Sequence, residues 1–328
     1  MPLPGEFALI ARHFRPLAEG VPGALALADD AALLDPPPGR TLVLAADAMV
    51  AGVHFLPDDP PDTIGRKLLR VNLSDLAAMG AEPVGYLMTT ALPPDMTPEW
   101  LDAFARGLKE DQRRFGCGLL GGDTVSTPGP LALSLTVVGS VAPGRALTRA
   151  GARAGDAVWV SGTIGDGALG LLALTERLPA VAEQHRAFLA DRYRLPRPRL
   201  PLGRRLCGIA TACLDVSDGL VQDLGHLCRA AGLSAELDAG AVPLSAAARA
   251  AVAADPALLA RCLTGGDDYE LVFTAPRTET ATLAGIAAET GIPIACIGRM
   301  TPAGATEVSV LQAGVELPLA ETGWSHIR

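Results

Sequence analysis

The chain alternates between stretches with apolar side chains at helical spacing and shorter runs that are mostly apolar. Helical spacing marks residues 5–20, 61–80 and 97–116, and an apolar face repeated every three or four residues predicts an amphipathic helix. The apolar runs at 41–50 and 83–92 predict β-strands. Helices and strands that follow one another in this way favour an α/β or α+β fold.

End signals support two of these helices. In the helix predicted at 61–80, Asp62 is the predicted N-cap and Gly80 is predicted to end the helix. In the helix predicted at 97–116, Thr97 is the predicted N-cap, Pro98 takes the first helical position and Gly116 follows the end. Asp and Thr side chains accept hydrogen bonds from the N–H groups of the first turn, and glycine tolerates the left-handed conformation that ends many helices.

The second half of the chain predicts the same alternation. The further strands are predicted at 118–123, 131–141, from 156 onwards, and at 210–217, 270–275 and 293–300, and the further helices at 165–178, 183–194 and 217–231. Residues 193–203, YRLPRPRLPLG, predict a proline-rich connector. The polar, turn-rich segment 143–157 indicates a boundary, so we predict domains at 1–147 and 148–328.

Length and charge narrow the function classes. A chain of 328 residues exceeds the roughly 250–300 residues at which single cores stop growing, which predicts two domains. The formal net charge of −9 argues against general binding to nucleic acid. No apolar run reaches the roughly 18 residues that predict a membrane span. The six cysteines contain no CxxC pair, so we expect buried thiols in a cytoplasmic protein.

Aspartates interrupt several apolar stretches. The segment 212–227, ACLDVSDGLVQDLGHL, carries Asp215, Asp218 and Asp223, and similar acidic turns occur in LALADDAALL, VLAADAMV, NLSDLAAMG, LLGGDTVS and LTGGDDYELVF. Mg²⁺ prefers carboxylate, water and phosphate oxygens, so these acids predict a divided metal site for a nucleotide. Each acid also has an ordinary interpretation as a cap, a turn residue or a solvated residue. For Asp223 we favour the solvated side of a helix.

Several common site motifs are missing from the sequence. It contains no GxxxxGK[ST] phosphate loop, no GxGxxG followed by the expected acid and no GxSxG serine elbow. None of its five histidines has zinc-site spacing. These absences make ordinary phosphate-loop enzymes, serine hydrolases and zinc hydrolases poor interpretations.

Eight motifs occur in a fixed order: ADDAALL, AADAMVAGVHF, RKLLRVNLSDLAAMGAEP, LLGGDTVS, LTRAGARAGDAVWVSGTIGDGALGL, LDVSDGLVQDLGHL, GGDDYELVFT and the terminal GWSHI. Together they resemble the thiamine-monophosphate kinase family, which belongs to the superfamily of aminoimidazole ribonucleotide synthetase and selenophosphate synthetase. The combination of LDVSDGL, GGxDYEL and GWxH distinguishes this family from its relatives.

The resemblance implies a fold, an activity and partners. The fold would be α+β (mixed α/β) with two domains: 1–147 would bind ATP and Mg²⁺ and pair in a homodimer, and 148–328 would complete the active site. The activity would be in-line transfer of the γ-phosphoryl group of ATP to thiamine monophosphate, without a covalent or general-base residue. Mg²⁺ is the implied metal and K⁺ a candidate ion. No nucleic-acid or membrane partner is implied.

Carried over position by position, the resemblance also implies site residues. The metal ligands would be Asp30, Asp47, Asp75, Asp123, Asp215 and Asp218. The residues that contact ATP would be Gly122, Asp123, Arg149 and Ser217. The residues that contact the thiamine substrate would be His54, Asp267 and Trp324.

The sequence departs from the family pattern at several positions. Ala28 replaces a glycine in the first acidic turn, and Ala45 and Ala46 replace hydroxyl residues before Asp47. Asp267 is one methylene shorter than the usual glutamate, and Ala105 replaces a tyrosine associated with the nucleotide. Two alternatives stay open. One is another ATP-dependent synthetase of the superfamily, and the other is a Mg–nucleotide-binding protein that has lost catalysis.

Overall fold

Two β-sheets organise residues 5–325, the part of the chain that this computed structural model describes. One sheet belongs to an N-terminal unit, made of the described residues up to Leu76 together with Ala81–Gly144. The other belongs to a C-terminal unit, made of Ala77–Gly80 and the described residues from Arg145 onwards. The last two residues of the GWSHI motif lie outside the described residues.

The N-terminal unit has a four-stranded sheet in the order β1-β4-β2-β3. Its elements are α1 (Glu6–Leu9), β1 (Thr41–Val50), α2 (Pro61–Ala78), β2 (Glu82–Leu92), α3 (Pro98–Phe115), β3 (Gly118–Ser126) and β4 (Ala132–Val141). Strand β4 is antiparallel to both β1 and β2, whereas β3 is parallel to β2. The parallel pair needs a crossover connection, and α3 supplies it.

The ends of α3 are those that the sequence predicts. The Thr97 hydroxyl accepts the Trp100 N–H at 3.2 Å, and Gly116 follows the helix with φ +67°. Gly80, with φ +69°, lies two residues after the end of α2 at Ala78. The Asp62 prediction is wrong, because α2 begins at Pro61 and places Asp62 inside its first turn.

The predicted helix over residues 5–20 is confirmed only in part, because residues 6–17 are helical but do not form one regular α-helix. Helix α1 ends at Leu9. The chain then forms a π-helical turn at Ile10–Phe14 and a 3₁₀ turn at Arg15–Leu17. Phe14 is buried, but Phe7 is 84% exposed, so the two do not share a buried face. Pro16 contributes to this irregularity, because proline lacks the N–H that a continuous helix requires.

The C-terminal unit has a seven-stranded mixed sheet in the order β11-β10-β7-β9-β5-β8-β6. Its strands are β5 (Ala157–Ser161), β6 (Ala212–Asp215), β7 (Leu233–Asp238), β8 (Leu271–Ala275), β9 (Ile294–Pro302), β10 (Val308–Gln312) and β11 (Val315–Glu316). Its helices are α4 (Asp166–Leu174), α5 (Glu183–Arg194), α6 (Leu200–Leu206), α7 (Leu220–Ala231), α8 (Ala246–Ala254), α9 (Leu258–Thr264) and α10 (Thr280–Thr290). Within the sheet, only the β10–β7 pair is parallel.

Most predicted elements of this unit are present, several of them with shorter bounds; α5 has the predicted bounds, and β9 extends beyond them to Pro302. The proline-rich connector at 193–203 is wrong in part, because α6 begins at Leu200 with Pro201 in its first turn, a position that proline tolerates. The predicted strand at 210–217 ends at Asp215, and the helix expected from 217 begins at Leu220. The residues between them form a loop. Within the described part of the chain, no helix is long and apolar enough to cross a membrane.

Candidate functional site

A cavity of about 570 Å³ in the N-terminal unit has an acidic side and an apolar side. Asp29 and Asp30 line it from the segment before β1, and Asp123 lines it from β3. The apolar side includes Phe7, Ile10 and Phe14. All three aspartates are exposed, so their carboxylates keep the hydration that a charged group favours.

Gly122 places Asp123 on the rim of this cavity. A Cβ on Gly122 would lie 1.8 Å from the Met88 carbonyl oxygen, so no other residue fits there without moving β2. Asp123 itself pairs with Thr89 of β2, and its carboxylate accepts the Thr124 N–H at 2.8 Å. The strand predicted at 118–123 is confirmed, since β3 spans Gly118–Ser126 and contains both Gly122 and Asp123.

Asp47 and Asp75 lie on neighbouring elements, β1 and α2. The Asp47 N–H donates to the Asn72 side-chain oxygen at 3.1 Å. Asp75 is three residues beyond Asn72, and residues at this helical spacing lie on the same face. Both aspartates are half-buried. The strand predicted at 41–50 is confirmed, since β1 spans Thr41–Val50.

His54 lies in the turn after β1, not on a strand. Its Nδ1 accepts the Val50 N–H at 3.0 Å, so the neutral imidazole carries its proton on Nε2. The Lys67 ammonium donates to the His54 carbonyl at 2.9 Å and fixes the turn. The ring can therefore offer an N–H donor from a defined position.

In the C-terminal unit, the loop between β6 and α7 carries Ser217 and Asp218. Asp223, on the first turn of α7, folds back under this loop. One of its oxygens accepts the N–H groups of Ser217, Asp218 and Gly219 at 3.0, 3.0 and 3.1 Å. Asp223 is 3% exposed, so its interpretation as the solvated side of a helix is wrong.

The Asp223 carboxyl has a strongly shifted pKa. Burial raises the pKa of Asp223 to about 8, with smaller contributions from the charges of Asp215 and Asp218. The N–H groups of Asp218 and Gly219 oppose that rise in pKa because they favour the carboxylate. Three aspartates so close to one another repel, and a bound cation would relieve that repulsion.

The segment Gly265–Glu270, before β8, is hydrogen-bonded to the same loop. The Asp267 N–H donates to the Ser217 carbonyl at 2.9 Å, and the Tyr269 N–H donates to the Val216 carbonyl at 2.8 Å. Asp267 has φ +70°, in the left-handed region. The two predicted site motifs of this unit therefore form one hydrogen-bonded structure.

The C-terminal segment completes this arrangement. The Trp324 N–H donates to the Asp218 carbonyl at 2.9 Å, and the Gln222 amide donates to the Trp324 carbonyl at 2.7 Å. The Trp324 side chain is 42% exposed beside the loop. A ligand at Asp218 therefore lies within the neighbourhood of an indole ring.

Arg149 lies in a 3₁₀ turn joined to the loop's strand, since the Cys213 N–H donates to the Thr148 carbonyl at 3.0 Å. Burial lowers the pKa of His226, and the positive charges of Arg229 and Arg149 lower it further. Asp218, Asp223 and His226 offer ligand atoms within 4.8 Å of one another. The exposed Arg149 is thus close to the acidic loop.

Comparison with known proteins identifies the family. The family described as AIR synthase related protein, N-terminal domain, matches residues 28–141, and its C-terminal domain family matches residues 153–311. The thiamine-monophosphate kinase of Caulobacter vibrioides is 43% identical over 326 residues, which cover 98% of this chain and 91% of that protein. The Escherichia coli K12 kinase is 41% identical over 323 residues, 98% of both chains.

This chain belongs to the thiamine-monophosphate kinase family. A solved kinase from Stenotrophomonas maltophilia has a TM-score of 0.83 at 39% identity and covers 97% of this chain and 99% of that one. AaThiL complexed with AMPPCP and TMP has a TM-score of 0.77 at 30% identity, covering 98% and 97%. Escherichia coli HypE, a hydrogenase maturation protein, shares the fold alone, at 22% identity and a TM-score of 0.79. The predicted family and fold class are confirmed.

Within each unit, the structure brings several predicted site residues together. Asp30, Gly122 and Asp123 line one cavity, and Asp47 is linked to the helix of Asp75. In the other unit, Ser217, Asp218, Asp267 and Trp324 meet through backbone hydrogen bonds. Buried Asp215 ends the strand that leads into the loop. Ala105 lies elsewhere, in a cavity lined by Arg12, Arg106 and Lys109.

The chemistry of these donors fits Mg²⁺. The acids that line the first cavity and the acid of the loop present carboxylate oxygens, which Mg²⁺ prefers over nitrogen or sulfur. Asp223 fits less well as a ligand, because one of its oxygens already accepts three N–H groups. Sequence reasoning missed its role, and also those of buried Asp268 and Glu270. Their position among apolar residues was the available signal, since acids are seldom fully buried without partners.

Proposed function

We propose that this chain transfers the γ-phosphoryl group of ATP to thiamine monophosphate, forming thiamine diphosphate and ADP. The observation that carries the proposal is the likeness, over 98% of the chain, to a protein complexed with AMPPCP and TMP. AMPPCP is a non-hydrolysable analogue of ATP. The acidic cavity and the Asp218 loop supply the groups that phosphoryl transfer needs, because catalysis of this reaction is mainly positioning and charge stabilisation.

The cavity of the N-terminal unit suits a Mg–nucleotide. Phe7, Ile10 and Phe14 offer an apolar side for a base. Asp30 and Asp123 would hold Mg²⁺, with Asp47 and Asp75 as further ligands. Bound Mg²⁺ would offset the repulsion between these acids and the triphosphate and neutralise charge that develops on the transferring group. At Gly122, β3 approaches β2 so closely that a side chain would clash with the Met88 backbone, and this close pairing fixes the position of Asp123.

The loop of the C-terminal unit suits phosphate groups and a cationic acceptor. Arg149 presents a planar fork that can bind two phosphate oxygens, and Ser217 adds a hydroxyl. Asp215 and Asp218 would be the metal ligands of this unit. Trp324 offers an exposed ring face for the positively charged thiazolium. We infer that Asp267 and His54 also contact the thiamine substrate, with His54 donating from Nε2.

The acceptor supplies its own nucleophile. The second pKa of a phosphate monoester is about 6, so its oxygen is largely deprotonated at neutral pH. A strong general base is therefore unnecessary, and none of the site residues needs to accept a proton from the acceptor. The residues of the chain bind and align the two phosphates. The inferred transfer is direct and in line, without a phosphorylated side chain.

We also infer a cytoplasmic homodimer that pairs through the N-terminal unit. The six cysteines are free thiols, as a reducing compartment favours. Leu44, Leu87 and Val125 of the N-terminal sheet are 65%, 41% and 46% exposed, and the strand register puts them on one face. Exposed apolar patches of this kind mark interaction surfaces. Sedimentation should show a dimer, and L87D should shift it towards monomer; a monomeric wild type would contradict the inference.

The activity is tested by incubating the purified protein with ATP, Mg²⁺ and thiamine monophosphate and separating the products by chromatography. We expect thiamine diphosphate and ADP in equal amounts, and no thiamine diphosphate without Mg²⁺. Thiamine in place of its monophosphate is the matched acceptor control. Nucleotide binding by calorimetry without product, at varied Mg²⁺ and K⁺, would instead favour a protein that has lost catalysis.

A further inference from the structure

Two buried carboxylates follow Asp267 in the chain, one on either side of Tyr269. Asp268 is 1% exposed and Glu270 is 0% exposed. Asp267 and Tyr269, which alternate with them, have positive φ angles of 70° and 52°. The left-handed conformation is unfavourable for residues other than glycine, and most of all for a bulky tyrosine. Something must hold the segment in this shape, because two such residues in three positions are costly.

Asp268 holds it to the start of α4. Its two carboxylate oxygens accept the N–H groups of Gly165 and Gly167 at 2.7 and 2.9 Å. Gly165 is the N-cap residue of α4, and as a glycine it has no side chain that could cap the helix. Asp268 therefore caps a helix about 100 residues earlier in the chain. The cap and the strained segment are one structural feature.

Glu270 holds the other end of the segment. It accepts the Ser161 hydroxyl at 2.6 Å and pairs with Arg192 at 3.1 Å and with the Nε of Arg199 at 2.6 Å. Ser161 in turn accepts the Leu271 N–H at 2.9 Å. A buried carboxylate with this many charged and polar partners is satisfied, and such a network fixes the backbone that carries it.

The fixed segment is bonded directly to the loop of Asp218. The Glu270 carbonyl accepts the Val216 N–H at 2.8 Å, and the Tyr269 and Asp267 N–H groups return two bonds to Val216 and Ser217. Gly167 also packs here, since a Cβ on it would lie 2.3 Å from the Asp267 carbonyl oxygen. The segment is thus confined between α4 on one side and the loop on the other.

We propose that Asp268 and Glu270 are positioning residues that hold Asp267 at the angle needed to bind the phosphoryl acceptor. Both side chains are buried, and in this proposal they act through the backbone of Asp267. The proposal rests on the proposed function, because it takes thiamine monophosphate as the acceptor. In this proposal, the affinity for the acceptor depends on Asp268, which caps α4, and on the buried ion pairs of Glu270. The affinity for ATP depends on the residues that contact the nucleotide.

The test is D268N, which replaces one oxygen that accepts an N–H group by an amide that cannot. We expect the KM for thiamine monophosphate to rise about tenfold or more, as for other residues that orient a ligand's contact, while the KM for ATP changes less than about twofold. S245A is the matched control. Ser245 belongs to the same buried polar region, bonding Asp166 at 2.6 Å and capping α8, but it is not bonded to the segment.

A purely structural role would lower the amount of active enzyme and leave both KM values unchanged. That result, or an equal rise in the KM for ATP, or the same acceptor effect in S245A, would overturn the proposal. The variant G167A adds a methyl group on α4 that contacts the backbone of Asp267 without removing a charge. It tests the proposal if D268N does not fold. It should also raise the KM for the acceptor selectively, and an unchanged KM in G167A would then reject the proposal.

Amide hydrogen exchange separates this proposal from the proposed function. The Asp267 and Tyr269 amides should exchange faster in D268N than in wild type, while amides in β9 exchange at the same rate. If wild type forms no thiamine diphosphate, the proposed function fails. In that event calorimetric binding of thiamine monophosphate, weakened in D268N, would still support positioning, and equal binding or none by wild type would overturn it.

Discussion

Asp123 and Asp218 both adjoin a glycine and both are proposed to meet Mg–phosphate, yet they are held in different ways. Asp123 is part of β3 and is positioned by pairing with β2. Asp218 is in a loop that Asp223 supports from below and Trp324 contacts from the side. Asp123 is exposed, whereas the support of Asp218 is almost fully buried.

The difference separates two ways of preparing a charged site. Main-chain pairing in the sheet positions Asp123, so its side chain contributes little to the fold. A substitution of Asp123 should therefore affect ligand binding and not folding. Around Asp218 and Asp267, buried carboxylates satisfy backbone N–H groups that would otherwise be unpaired, and such groups are costly to leave unpaired. Changes to those carboxylates should therefore affect stability and activity together.

The largest expected effect follows from D123N. Loss of one carboxylate from the acidic cavity should lower kcat/KM by about 100-fold or more because it removes a metal ligand, with the thermal midpoint of unfolding unchanged within about 2 °C. Steady-state kinetics over a range of Mg²⁺ concentrations and a thermal melt measure the two. D35N, an exposed acid outside the cavity, is the control. A large drop in the melting temperature of D123N would erase the contrast with Asp218.

The next effect concerns the support of the loop. D223A removes the acceptor of three N–H groups, and we expect it to lower the free energy of unfolding by about 2–3 kcal/mol and kcat/KM by about tenfold. D223N keeps one oxygen and should lie between D223A and wild type. Urea denaturation and kinetics provide the measurements. An exposed carboxylate with one backbone bond, Asp238, serves as comparison, and equal losses in D238A and D223A would refute the importance of burial.

A smaller effect is expected from the helix cap in the N-terminal unit. T97A removes the hydroxyl that accepts the Trp100 N–H and should lower the free energy of unfolding by about 1 kcal/mol. Because α3 supports the sheet and not a particular acid, both KM values should remain those of wild type. T97S, which keeps the hydroxyl, should restore the stability. Altered KM values in T97A would show that the sheet positions Asp123 less rigidly than we infer.

The smallest expected effect depends on pH and involves His13. Burial lowers the pKa of His13 from its ordinary value of 6.5, although the nearby Asp102 opposes this decrease. The unfolded chain therefore binds a proton near pH 6.5 that the folded chain resists, so stability should fall as the pH drops below 6.5. H13N should show a shallower fall between pH 7 and 5 in urea denaturation. Parallel curves would contradict the lowered pKa and mean that the attraction of Asp102 cancels the effect of burial on His13.

Several parts of the structure followed from residue type alone. Thr97, Pro98 and Gly116 define the ends of α3 because capping is local chemistry between residues a few positions apart. The motifs also identified the family, and the apolar runs predicted most strands. The irregular segment at residues 10–17 was missed because its apolar side chains recur at helical spacing. Its proline and its tertiary packing nevertheless disfavour a regular α-helix. Asp62 was misplaced because helix starts shift by a residue or two.

The aspartates show where the sequence by itself stops. It determined which residue types carry the chemistry: short acids beside small residues, an arginine, and a tryptophan near the end. Only the tertiary structure decided which acids present themselves to a ligand and which support the backbone. Asp218 and Asp223 look alike in LDVSDGLVQDL, but folding exposes part of one and buries the other under three N–H groups. Burial and long-range pairing depend on contacts between distant segments, and local sequence does not encode them.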